Sequence, residues 1–257
     1  MSEYLEGYVK SYSHNHITSI EFFHPQSNSL PSNILNELAK EIHSAGNDDD
    51  TRVIILRSAG DKAFCAGALY DELVSITAKE QGMEFFNGFA HVINAMRKCP
   101  QFIIARIQGK CVGGGVGLAA AADYVIALEG ADIKLSELTV GIGPFVVGPA
   151  IERKIGISSF SQLAIDAALW RSADWARKKG LYAELHPTIE GMDESIQRLA
   201  THLSHSNPEA MKEMKKIFWK GTEDWDKLLS ERAAISGKLI LSDFAKSAIQ
   251  SFKSRKK

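Results

Sequence analysis

The sequence predicts an α/β fold in which most strands pair in parallel. Short, nearly all-apolar runs recur in the first half of the chain, as is typical of strands covered on both faces. Segments in which apolar residues follow the helical period separate these runs. The chain has 257 residues, which is enough to bury a substantial core. We expect a core formed by 1–192 and a helical C-terminal region formed by 193–257.

Four strands and two helices are predicted in the first half. Pro31 opens the first helix, whose apolar stripe is formed by Leu35, Leu38, Ala39 and Ile42. The second helix covers 75–98 and ends just before Pro100. The predicted strands are 16–23, 52–58, 102–107 and 124–128.

Strand patterns nearly vanish from Ser158 onward, and three helices are predicted near the C-terminus. The first begins at Asp193 and continues with Ile196, Leu199, Ala200 and Leu203 at the helical period. Asn207-Pro208 is typical of the start of the second. The third begins near 222–224 and continues towards Phe252.

Composition and charge exclude several classes of protein. The chain is 45% hydrophobic and 24% charged, which is average for a globular protein. Thirty Lys and Arg residues balance 31 Asp and Glu residues, so we expect neither nucleic acid nor a membrane as a partner. No apolar run approaches the roughly 20 residues that span a bilayer. The N-terminus has no apolar signal segment, and the three cysteines have no CxxC spacing. We expect a cytoplasmic protein without a metal site.

Two glycine-bearing loops give the strongest indication of a functional site in the sequence. The first, 62–69, follows a predicted strand and turn, and the second, 109–117, follows the strand 102–107. Glycines let the backbone approach a ligand closely, and a glycine run that opens a helix presents unpaired N–H groups to an anion or oxyanion. Close packing of a helix on a strand is the alternative reason for small residues here.

The second loop also fits a dinucleotide-binding pattern, because 115–120 reads G-x-G-x-x-A. A nicotinamide oxidoreductase of this kind needs a full crossover helix before the next strand. Only six residues, 118–123, lie between the glycines and the predicted strand. We therefore expect no dinucleotide site.

The sequence resembles the enoyl-CoA hydratase/isomerase (crotonase) superfamily over nearly its whole length. The segments that carry the resemblance are FCAGA, GKCVGGGVGLAAAADYVIA and KLSELTVGIG, in that order. The resemblance implies a crotonase-like ββα spiral core with a helical C-terminal oligomerisation region. It also implies that the backbone N–H groups of Ala68 and Gly114 hold a thioester oxygen and stabilise an enolate.

One departure from the family pattern favours one reaction. Hydratases of the superfamily use two glutamates, and their positions fall here on Gly117 and Glu137. Double-bond isomerisation needs a single group that removes and returns a proton, so the resemblance favours an isomerase with Glu137 as that group. Apolar neighbours are expected to raise the pKa of Glu137. Alternatively, Glu137 faces solvent from a β-like segment.

Two other activities remain open. One is an enoyl-CoA hydratase that takes its second acid or base from a non-standard position, such as Tyr70, Asp71 or Glu72. For Asp71 and Glu72, the first turn of a helix is the simpler role. The other is a non-catalytic acyl-CoA binder.

Substrate contacts are expected from both loops, from the bulky segment 141–149 and from the last helix. The candidates are Lys62, Ala66, Gly67, Leu69, Gly113, Gly141, Pro144, Phe145, Phe252 and Lys253. Phe145, Val146 and Val147 either line an acyl pocket or pack in the core. The partner is an acyl-CoA thioester, whose coenzyme A is part of the substrate, and no separate cofactor is expected. The resemblance further implies a homotrimer or a dimer of trimers, with Phe252 and Lys253 reaching a neighbouring subunit.

Overall fold

The computed structural model describes residues 7–254, with side chains up to residue 251. Within this part of the chain, two sheets are surrounded by helices. The strands are β1 (Tyr8–His14), β2 (Ile17–Phe23), β3 (Val53–Ser58), β4 (Phe102–Ile107), β5 (Cys111–Val112), β6 (Tyr124–Leu128), β7 (Ile133–Lys134) and β8 (Glu184–His186).

Helices connect most of these strands and form the C-terminal part. They are α1 (Ser32–Gly46), α2 (Tyr70–Ser75), α3 (Lys79–Lys98), α4 (Gly114–Ala121), α5 (Gly148–Ile165), α6 (Ala173–Lys178), α7 (Ile189–Ser204), α8 (Pro208–Phe218), α9 (Trp225–Leu239) and α10 (Asp243–Ser254). A 3-10 helix, Glu137–Val140, lies between β7 and α5. Among residues 7–254, no helix combines the length and apolarity that a membrane span requires.

The main sheet has the order β1-β2-β3-β4-β6-β8, and β5 pairs with β7 in a second sheet. All neighbouring strands run parallel except β1 and β2. Alternate residues of β3 face opposite sides: Ile54 and Leu56 join the large core, whereas Val53 and Ile55 pack with helix α7. Because both faces of these strands are covered by other apolar residues, the strands themselves are almost entirely apolar. The predicted parallel α/β core is confirmed.

Strand β1 was not expected from the sequence. It forms an antiparallel hairpin with β2, and the turn places Asn15 and His16 at φ of 51° and 65°. Most of its side chains are exposed, so it lacks the apolar run that identifies the buried strands. The short strand β8, in the region where strand patterns nearly vanish, pairs with β6.

The helix predicted over 75–98 is confirmed from Lys79 to Lys98, but its first residues are not helical, and a separate short helix, α2, precedes it. Helix α2 ends at Ser75, and residues before α3 are extended, with Ala78 at ψ 149°. The Gln81 side chain accepts hydrogen bonds from the N–H groups of Thr77 and Ala78, at 2.9 and 3.1 Å. These bonds satisfy donors at the start of α3, where a continuous helix would have used backbone carbonyls.

The C-terminal region is helical, as predicted, but two of its boundaries differ. Helix α7 begins at Ile189 rather than Asp193, because Thr188 caps it by accepting from the Gly191 N–H. The predicted third helix is divided into α9 and α10, and the Ser242 hydroxyl oxygen accepts from the Ala245 N–H at the start of α10. The proposed division at residue 192 stays a prediction.

Candidate active site

The first glycine loop lies between β3 and α2 and is fixed by backbone pairing. The Val112 N–H donates to the Cys65 carbonyl at 2.9 Å, and the Leu30 N–H donates to the Gly67 carbonyl at 2.8 Å. Gly67 has φ +84°, and a Cβ there would lie 3.0 Å from the Val112 carbonyl oxygen. Positive φ and close backbone contact both require glycine at this position.

The second glycine loop turns directly into helix α4. Gly113 has φ +52°, and a Cβ there would lie 2.9 Å from Glu137 Oε1. A Cβ on Gly114 would lie 2.2 Å from a ring carbon of Phe89, which belongs to α3. The loop is therefore enclosed by the Glu137 carboxylate on one side and an aromatic ring on the other.

Ala68 and Gly114 line the same cavity. Among residues 7–254, neither N–H donates to a protein acceptor. The two loops are adjacent, since a Cβ on Gly67 would lie 3.5 Å from the Gly114 nitrogen. Two unpaired donors beside an apolar cavity suit an oxygen atom that gains negative charge during a reaction.

The cavity has an empty volume of about 580 Å³, which includes its open mouth. Of the predicted contacts, it is lined by Ala66, Gly67, Ala68, Gly113, Gly114, Glu137, Pro144 and Phe145. Its further apolar lining comes from Leu73, Phe86, Phe89, Val112, Val140, Ile142, Val146 and Val147. Val146 and Val147 are also part of the core, so the two roles considered for this loop coincide.

Three predicted contacts lie outside the lining. Lys62 is exposed, with its backbone packed against Gly109. Leu69 precedes α2 and donates its N–H to the Leu30 carbonyl. Gly141 ends the 3-10 helix at φ +78° and packs against Phe244 and Ala245 of α10. The side chains of 252 and 253, both predicted contacts, lie outside the described residues.

Glu137 is the first residue of the 3-10 helix, so the β-like segment considered for it is wrong. Its Oε2 atom is buried and has no hydrogen-bond partner among the described residues. Burial raises the pKa of Glu137 to about 7, as its apolar surroundings predicted. A carboxylate with this pKa and an unpartnered Oε2 atom can both accept and return a proton near neutral pH.

Val147 fills the space beside Gly117. A Cβ on Gly117 would lie 2.4 Å from Val147 Cγ1 and 2.7 Å from Val147 Cβ. Contacts this short do not exist between real side chains, and the Val147 side chain is buried. A side chain at position 117 would therefore require Val147 to shift.

The three polar residues after the first loop have different roles. Tyr70 lines the cavity, and burial together with the Glu137 carboxylate raises its pKa. Asp71 accepts from Gln26 Nε2 at 2.9 Å, and Glu72 accepts from the Ser32 N–H at 2.8 Å. Both acids lie in the first turn of α2, the simpler role considered for them.

The cysteines and histidines do not contribute to the cavity lining. Cys65 and Cys111 are fully buried, and burial raises the pKa of the Cys65 thiol to about 12. His202 and His205 are exposed. Within the described residues, no group of three or more His, Cys, Asp or Glu side chains is placed to hold a metal ion.

Phe86, Phe89 and Ser236 were not identified from the sequence. The two aromatic residues follow the helical period of α3, a pattern that predicts core packing as well as a pocket wall. Ser236 comes from α9, which reaches the cavity through a close crossing: a Cβ on Gly82 would lie 2.8 Å from the Gly237 Cα. No local pattern signals a contact between such distant segments.

The sequence is similar to those of known proteins whose names refer to CoA thioesters. Human mitochondrial methylglutaconyl-CoA hydratase is 30% identical over 200 residues, covering 76% of this chain and 58% of that protein. Mitochondrial Delta(3,5)-Delta(2,4)-dienoyl-CoA isomerase of Pongo abelii is 24% identical over 212 residues, covering 78% of this chain and 64% of that protein. The chain thus spans less than two thirds of the length of either relative.

The fold has solved counterparts. The crystal structure of enoyl-CoA hydratase from Bacillus halodurans has a TM-score of 0.87 with this chain at 22% identity, covering 95% of this chain and 99% of the other. This similarity confirms the predicted crotonase-like architecture. The family profile described as Enoyl-CoA hydratase/isomerase matches residues 13–257. A match over nearly the whole chain shows that this protein belongs to the enoyl-CoA hydratase/isomerase family.

Proposed function

We propose that this chain is an enoyl-CoA isomerase in which one carboxylate shuttles the proton. The observation that carries the proposal is that position 117 has no carboxylate and that Val147 packs into the space beside it, where even a Cβ would lie 2.4 Å from Val147 Cγ1. Among the described residues that line the cavity, Glu137 is the one with a carboxylate. Isomerisation needs one base. Hydration needs, in addition, a second group that positions the water molecule or protonates the α-carbon.

The reaction follows from this arrangement. The thioester oxygen of a β,γ-enoyl-CoA accepts hydrogen bonds from the Ala68 and Gly114 N–H groups. Glu137 removes a proton from the α-carbon, and the electron pair left by the C–H bond forms a dienolate with its charge on the thioester oxygen. The protonated Glu137 then gives the proton to the γ-carbon, and the double bond ends between the α- and β-carbons. Each amide donor contributes about 3 kcal/mol to the transition state.

Hydration is the second candidate, and the position of Tyr70 favours it. Tyr70 lines the same cavity as Glu137 and feels its charge. A phenol at this point can hold a water molecule or supply a proton, which is the non-standard second group that a hydratase would need. Its raised pKa keeps the phenol protonated near neutral pH, so it suits the role of acid rather than base.

We further propose that coenzyme A, as part of the substrate, is the one cofactor-like group involved. Lys62 is exposed beside the first loop and can meet a CoA phosphate, with Phe252 and Lys253 as further candidates. Self-association as a trimer or a dimer of trimers is supported by exposed apolar side chains on the C-terminal helices, namely Met214, Ile217, Phe218 and Phe244. We propose a cytoplasmic location for the assembly.

An assay of β,γ- and α,β-enoyl-CoAs of several chain lengths tests the proposed reaction. The wild-type chain should interconvert the two series, and Glu137→Gln should lose most of this activity. Glu129→Gln, an exposed glutamate on the loop after β6, is the matched control and should retain it. Hydration without isomerisation would overturn the proposal. Binding of acyl-CoA without turnover would instead identify a non-catalytic binder.

A further inference from the structure

Ser236 places a hydroxyl group in the wall of the cavity, whose other polar side chains are those of Tyr70, Ser136 and Glu137. It lies on the buried stripe of α9, together with Leu229, Ala233 and Gly237. The residue is 1% exposed and lines the cavity. Among residues 7–254, the hydroxyl groups of Ser242 and Ser251 bond to carbonyls of the preceding turn, as is common for serines in helices, whereas no such bond is formed by the Ser236 hydroxyl, which lies at the cavity. A buried polar group without a partner needs one, from water or from a ligand.

The close helix crossing brings this hydroxyl to the cavity. Gly237 packs directly on Gly82 and Met83, so α9 approaches α3 without intervening side chains. Phe86 and Phe89 follow Gly82 on α3 and line the same cavity. Phe89 packs on Gly114, and the seven residues of α3 from Gly82 to Phe89 rise about 10 Å, so up to about 10 Å separates the helix crossing beside Ser236 from the Gly114 end of the cavity. That separation corresponds to the distal part of a short or medium acyl chain.

The surroundings also restrict the chemistry of the group that Ser236 meets. Among the described residues that line the cavity, none is Lys, Arg or His, and Glu137 carries the charge. A carboxylate on the acyl chain would find no cation and would be repelled by Glu137. A plain hydrocarbon chain would displace water from Ser236 and leave its hydroxyl unpaired. A neutral oxygen atom satisfies the hydroxyl without either cost.

We infer that Ser236 recognises a neutral oxygen function, a hydroxyl or an oxo group, on the distal part of the acyl chain. The inference rests on the proposed function in one respect: the cavity holds the acyl part of a CoA thioester. It makes Ser236 a specificity-determining residue that acts on binding of the acyl group. The discrimination should be about tenfold or more, since an unpaired buried hydroxyl is costly.

Calorimetric titration with saturated thioesters tests the inference without requiring turnover. The probes are hexanoyl- and octanoyl-CoA, compared with counterparts that carry a hydroxyl or an oxo group on the penultimate carbon. Wild-type protein should bind at least one oxygenated probe about tenfold more tightly than the hydrocarbon of equal length. Ser236→Ala should abolish this preference. Ser159→Ala is the control, because Ser159 is a buried helical serine on α5 outside the cavity lining.

The outcomes separate this inference from the proposed function. An equal affinity of wild-type protein for both kinds of probe, or a preference that persists in Ser236→Ala, would overturn the role of Ser236. Loss of the preference in Ser236→Ala alone would support it, even if no enoyl-CoA is turned over. Should Ser236→Ala not fold, Ser236→Cys keeps the size with a weaker hydrogen-bonding group and should reduce the preference in the same direction.

Discussion

The packing of Val147 beside Gly117 predicts that Gly117→Ala changes the stability of the protein with a sign that depends on residue 147. In Gly117→Ala the new Cβ would lie 2.4 Å from Val147 Cγ1, so the core is overpacked at a cost of about 2 kcal/mol. Replacing a helical glycine by alanine stabilises by about 1 kcal/mol. The free energy of unfolding should therefore fall by roughly 1 kcal/mol.

The same substitution should stabilise a chain that lacks the Val147 side chain. In Val147→Gly the nearest remaining atom is the Cα of residue 147, at 3.6 Å, which is ordinary van der Waals contact. Without the steric conflict, only the higher helix propensity of alanine relative to glycine affects stability. Gly117→Ala should therefore raise the free energy of unfolding by about 1 kcal/mol. The coupling between the two positions is about 2 kcal/mol.

Urea denaturation of the four proteins of this double-mutant cycle, at one protein concentration, measures the coupling. The m-value should be similar for all four, so that the midpoints report stability. If Gly117→Ala had the same effect in both backgrounds, Val147 would not occupy the space beside Gly117. The steric argument for a single carboxylate would then be refuted.

Three further predictions concern Glu137 and Lys62. Because Glu137 must be deprotonated to act as a base and its pKa is about 7, kcat/KM for isomerisation should rise with pH through about 7, as a pH-rate profile will show. The same pKa exceeds the usual value of 4.5, so the folded state binds more protons than the unfolded state between these values. Stability should therefore fall as pH rises from about 4.5 to 7, and Glu137→Gln should remove this component in denaturation curves measured at several pH values. Lys62→Ala should raise KM for acyl-CoA severalfold with little change in kcat, because an exposed cation that contacts a phosphate contributes about 1 kcal/mol to binding. Lys216→Ala, which removes another exposed lysine, is the control. If Lys62→Ala and the wild-type protein had equal KM values, Lys62 would not be part of the site.

Much of the fold could be predicted because its signals are local. The buried strands are short and apolar on both faces, and α1 has its stripe at the helical period. The break before α3 has no glycine or proline and depends on the Gln81 side chain, so local patterns did not indicate it. Strand β1 is exposed and polar, and its pairing with β2 depends on the turn at Asn15.

The site could be predicted only where the backbone or a family motif marks it. Both glycine loops and Glu137 follow from such motifs, and the structure brings them to one cavity. Ser236 has no local signal, since it reaches the cavity through the contact between Gly82 and Gly237. The effect of Val147 on Gly117 is likewise a contact between separate segments, and spacing alone does not reveal it.

Transfer of an isotope label tests the single-carboxylate mechanism most directly. A β,γ-enoyl-CoA that carries deuterium at the α-carbon is converted in ordinary water, and the product is analysed for deuterium at the γ-carbon early in the reaction. Because Glu137 Oε2 is buried and has no hydrogen-bond partner among the described residues, part of the label should return to the γ-carbon of the same molecule. If the γ-carbon of the product carried hydrogen from the solvent and no deuterium, and the double bond were also hydrated, the single-carboxylate mechanism would be contradicted.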